Sequence, residues 1–128
     1  MPEQPVDAAG MTYSEPDDLR SVRVFVSERA RALGMAAERI DLLTIAVSEL
    51  TTNTLQHSGG GGHIQIWADN GHLFCDVVDG GGPRAFGRAM PSAEAFRGRG
   101  LAIVERICDS VQTLAVPGGT LVRLCLRL

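Results

Sequence analysis

The chain has 128 residues and a mass of 13.6 kDa, the size of one ordinary domain and too little for two. Its apolar fraction of 45% and charged fraction of 21% are a globular balance that excludes disordered, collagen-like and fibrous chains. The net charge is −3 and the arginines are scattered, so the basic face of a nucleic-acid binder is missing.

No apolar run approaches the roughly 18–20 residues of a membrane span. The start, MPEQPVDAAG, lacks the charged and apolar regions of a signal peptide, and a cytoplasmic protein is expected. All 12 basic residues are arginine. Without lysine there is no Walker-type phosphate lysine and no Schiff-base chemistry, so a nucleotide site here must use backbone amides, metal or arginine.

Residues 1–11 carry Pro2, Pro5 and Gly10 with little pattern and read as a flexible tail, leaving 12–128 as a single domain. A first helix is predicted over SEPDDLRSVRVFVSERARALG, with Ser14 or Asp17 as cap and Pro16 at its first position. Leu19, Val22, Val26 and Leu33 give it an apolar stripe, and Gly34 stops it. A second helix runs from about Ala37 to His57, with Ile40, Leu43, Val47 and Leu50 as its stripe. HIQIWAD and HLFCDVVD around Asp69-Asn70-Gly71 form a hairpin. GGGPRAFGRAMPSAEAFRGRG has no periodicity and reads as a long loop, of the kind that serves as a functional lid. A short helix from Gly100 to about Asp109 follows, and VQTLAV, Pro117-Gly118-Gly119 and TLVRLCLRL make a second hairpin. The pattern implies an α+β two-layer sandwich, a mostly antiparallel mixed sheet covered on one face by helices. Cys75, Cys108 and Cys125 each sit in an apolar stretch and are expected to be reduced core residues rather than zinc ligands.

Three constellations stand out. On the second helix Glu49, Asn53 and His57 recur one turn apart, about 6 Å between neighbours. A carboxamide oxygen there can ligate Mg²⁺ and a carboxylate can accept a proton, although a plain solvated face has the same spacing. In VVDGGGP, Asp79 shares a strand face with Leu73, Cys75 and Val77. A carboxylate on an apolar face calls for a donor such as the adenine amine, and Gly81 lets backbone approach a flat ring; an ordinary Asp-Gly turn is the alternative. Gly98-Arg99-Gly100-Leu101 opens a helix and could hold phosphate with free amides, or be a simple loop-to-helix junction.

The order of these features resembles the GHKL superfamily of histidine-kinase-like ATPases. AVSELTTNTLQHSG, VVDGGGP and RGRGLAIVERICDS look like its N, G1 and G2 boxes. The length and the end GGTLVRLCLRL are similar to the small anti-sigma-factor serine kinases and related bacterial ATP-binding regulators, over about Thr12 to Leu128. The resemblance implies ATP and Mg²⁺ as cofactors. It implies Asn53 on Mg²⁺, Glu49 as general base, Asp79 on the adenine amine with Gly81 beside it, and Gly98, Arg99, Gly100 and Leu101 around the phosphates. The function it implies is an anti-sigma-factor serine/threonine kinase that phosphorylates a small antagonist protein and sequesters a sigma factor, as a homodimer without nucleic acid or membrane contact. The alternatives are a non-catalytic ATP-binding switch and a stand-alone histidine-kinase-type catalytic domain.

Overall fold

A computed structural model describes residues 8–57, 60–79, 102–117 and 119–128. In chain order these are β1 (Ala9–Tyr13), α1 (Asp18–Ala32), α2 (Ala37–His57), β2 (Gly62–Asp69), β3 (His72–Asp79), α3 (Ala102–Ile107), β4 (Ser110–Val116) and β5 (Gly119–Arg127). The five strands form one open sheet in the order β1-β2-β3-β5-β4. Every pairing among the described residues is antiparallel.

Part of the expected tail belongs to the sheet. Ala9, Gly10 and Met11 pair with Ile66, Gln65 and Ile64 of β2, so they form an edge strand. Met11 packs on the core and Tyr13 is buried in it, while Gly10 and Thr12 face out, an alternation too short to stand out beside Gly10. The start of α1 also differs. Asp17 makes no side-chain cap; the Asp18 carboxylate accepts from the Ser14 and Glu15 amides at 2.8 and 3.0 Å instead. Those two bonds hold the Asp18 carboxyl below its ordinary range. Pro16 lies in the turn before the helix, its carbonyl accepting from the Leu19 amide. At the other end Gly34 N–H donates to the Arg31 carbonyl and Met35 N–H to the Ala30 carbonyl, the paired bonds that close a helix.

The hairpin between β2 and β3 turns at Asn70 and Gly71, both with positive φ of 52° and 77°. That two-residue geometry matches the twist of the flanking strands, which is why Asn-Gly is favoured there. The short helix is described over Ala102–Ile107, with Val104 buried, and Cys108 follows it into the core.

One sheet face meets the helices. Ile64, Ile66, Leu73, Cys75, Val77, Val122, Leu124 and Leu126 pack against Val22, Val26 and Ala30 of α1, Leu43, Val47 and Leu50 of α2, and Val104. The α2 stripe is buried as its spacing predicts. Cys75 and Cys108 are free, buried thiols, and burial pushes Cys108 up to about 12 and Cys75 upward as well, leaving both protonated. No group of His, Cys, Asp and Glu among the described residues could hold a metal by itself.

The opposite sheet face carries a feature that periodicity does not reveal. Asp76 of β3 and Arg123 of β5 are cross-strand partners and form a buried two-point ion pair at 2.7 and 2.9 Å. The guanidinium lies 5.0 Å from the centre of the Trp67 ring, which stacks on Phe74. Removing one partner leaves a buried charge, so Asp76→Ala is expected to destabilise the fold by about 3–5 kcal/mol. Urea denaturation checks this, and the paired change Asp76→Leu with Arg123→Met should recover most of the loss.

Candidate functional site

Helix α2 joins the two ends of the sheet, and that placement assembles the site. Near its start, Arg39 donates to the Arg127 carbonyl at 2.7 Å and reaches Asp109 at 3.5 Å, at the end where His72 pairs with Arg127. Near its other end Thr54 meets Tyr13 of β1. Tyr13 pairs with Gly62, and Gly62 with Asp79, so the three lie in one row across the sheet. The last turns of α2 therefore stand over the strand ends that carry Asp79. Asn53 and Asp79, 26 positions apart in the chain, come to the same end of the molecule.

The side chains in this region differ in exposure. Glu49 is half-buried on the flank of α2. Asn53, one turn on, is 7% exposed, so it does not sit on a plain solvated face. Its neighbours Leu50, Thr51 and Thr54 are buried as well, and the Thr51 and Thr54 hydroxyls donate back to the carbonyls of Val47 and Leu50. Those bonds keep the threonines satisfied within the helix. Asp79 is half-buried at the end of β3, on the same side as Leu73, Cys75 and Val77.

Two residues of the site floor were not singled out by sequence spacing. Gly119 opens β5 so close to the Asp79 carbonyl that a Cβ there would collide with it. In the sequence it reads only as the end of the turn Pro117-Gly118-Gly119. Tyr13 is 2% exposed, and among the described residues no group stands in hydrogen-bond geometry to its hydroxyl, although the Thr54 side chain lies beside it. Burial pushes that hydroxyl up to about 12; Thr54 offsets part of the rise, and the Asp79 and Cys75 charges add to it.

The donor set fits a nucleotide with its magnesium ion. A carboxylate beside an apolar strand face suits an exocyclic amine, and a single buried carboxamide suits a hard cation that keeps its remaining positions for phosphate and water. The expected positions Gly81, Gly98, Arg99, Gly100 and Leu101 lie outside the described residues, as does the predicted lid.

An antiparallel five-stranded sheet with helices on one face, and polar groups gathered where the second helix crosses the strand ends, defines an α+β ligand-binding domain. The chain belongs to the histidine kinase-like ATPase domain family, whose pattern it matches over residues 12–126. Its fold is similar to a solved structure described as the RsbU and RsbW domains of Rv1364c from Mycobacterium tuberculosis, with a TM-score of 0.73 and 21% sequence identity. The likeness covers 97% of this chain and 32% of that one. Among curated proteins, no match to the chain was found.

Proposed function

We propose that the chain is an ATP-dependent protein serine/threonine kinase of the anti-sigma-factor type, which phosphorylates a small antagonist protein and sequesters a sigma factor. The observation that carries this reading is Glu49, set one turn before Asn53 on the helix that crosses to Asp79. A site that only held nucleotide needs Asn53 and Asp79 but has no use for a carboxylate at that place. Membership of an ATPase domain family supports ATP as the nucleotide.

In this account Asp79 accepts a hydrogen bond from the adenine amine. Asn53 would hold Mg²⁺ through its carboxamide oxygen, and the ion would supply charge neutralisation to the phosphates. Gly81 would lie beside the base, and Gly98, Arg99, Gly100 and Leu101 would enclose the phosphates, as the family resemblance implies. Glu49 orients the acceptor serine and takes its hydroxyl proton. The serine oxygen bonds to the γ-phosphorus, the bridging P–O bond breaks, and ADP leaves. The protein is assigned to the cytoplasm, acting as a homodimer.

The test is transfer. The purified chain with γ-labelled ATP, Mg²⁺ and candidate antagonist proteins should label a serine on one of them. If ATP binds and no partner is labelled, the chain is a nucleotide-binding switch and the kinase reading fails.

Asn53→Ala is expected to remove the Mg²⁺ dependence of ATP binding. Because Asn53 is buried, some loss of melting temperature should accompany the change. Calorimetry with and without Mg²⁺ separates the effects: a variant that melts lower but keeps the parent's Mg²⁺ dependence shows a structural asparagine.

A further inference from the structure

Tyr13 has a feature that packing does not explain. Phenylalanine would fill the same space in the core, yet the chain places a hydroxyl there, 2% exposed, with Thr54 beside it and no group of the described residues in hydrogen-bond geometry. Buried hydroxyls are normally satisfied, so this one asks for a use. Its surroundings supply one. Tyr13, Gly62 and Asp79 form a single cross-strand row. Tyr13 and Asp79 both face the helices, as Met11 and Val77 do on the same strands. Their backbones are two strand spacings apart, about 10 Å, and the residue between them has no side chain to intervene. The Asp79 charge acts on the Tyr13 hydroxyl across that gap, and one water between the two side chains can bridge it. Thr54 bounds the same space from α2.

We propose that Tyr13 is a positioning residue of the base subsite: with nucleotide bound, its hydroxyl donates through one water to the Asp79 carboxylate and fixes which oxygen faces the adenine amine. The inference rests on the ATP-site reading above. The hydroxyl stays protonated at every physiological pH, as a donor must. The bridge closes when the base arrives and orders the water; in the empty site the hydroxyl stands unpaired. Tyr13 thereby contributes to the choice of adenine over guanine, since only the adenine amine rewards an acceptor oxygen held in that orientation.

Tyr13→Phe in the full chain is the test, with three readouts. The melting temperature without nucleotide should be unchanged or higher, because an unsatisfied hydroxyl has been removed. Affinity for ATP by calorimetry should fall about 10-fold, the size of one hydrogen bond to a charged group, while GTP affinity stays as it was. In an Asp79→Asn background the same change should add little, because the two residues act as one unit. ATP affinity within twofold of the parent, in a parent that binds ATP, overturns the positioning role and leaves the ATP site standing. A fall in ATP and GTP affinity alike, with a lower melting temperature, overturns it in favour of a structural tyrosine. A parent that binds no ATP overturns the inference together with the reading beneath it.

Discussion

Glu49→Gln is expected to bind ATP within about twofold of the parent and to transfer phosphate to a serine acceptor roughly 100-fold more slowly or worse. Glu49 is half-buried on α2, one turn from Asn53, and the amide keeps its length and hydrogen-bonding reach. What the substitution removes is the ability to take a proton. Binding does not call on that ability, whereas attack by a hydroxyl does. Single-turnover transfer measured beside calorimetric affinity separates the two. Equal transfer by both proteins means that catalysis is positional and assigns Glu49 another part.

Asp79→Asn is expected to weaken ATP binding by about 10- to 100-fold and to erase the preference for ATP over GTP. The carboxylate offers only acceptors, and the carboxamide can turn a donor toward the base amine. Asp79 ends its strand half-buried with Val77 and Val78 inside it, so the fold should survive the exchange. Unchanged affinity and selectivity in a variant that melts like the parent would remove Asp79 from the base subsite.

The parts of this fold legible in the sequence are those whose signals are local and strong. The Ile40, Leu43, Val47 and Leu50 stripe gives α2, and Asn70-Gly71 between alternating segments gives the β2–β3 hairpin with its register. The cap of α1 escapes because Ser14, Asp17 and Asp18 all carry suitable oxygens, and only the turn decides which one reaches the free amides. Strand β1 escapes because its five residues gain their stability from pairing with β2, which lies far along the chain. The Asp76–Arg123 pair is equally hidden, since its partners are 47 residues apart and become neighbours only when β5 docks beside β3. Within the proposed site, Glu49 and Asn53 stand out through helical spacing and Asp79 through its place on an apolar strand face. Tyr13 does not, because its meaning depends on a row of three strands.

The central claim is a Mg²⁺-dependent adenine-nucleotide site at the end of the sheet where α2 crosses Asp79. Titration calorimetry of the purified chain with ATP, in the presence and absence of Mg²⁺ and beside GTP, tests it most directly. The account predicts saturable binding at one site per chain, stronger with Mg²⁺ and clearly weaker for GTP. Absence of any saturable ATP binding, or binding indifferent to both the metal and the base, would contradict it.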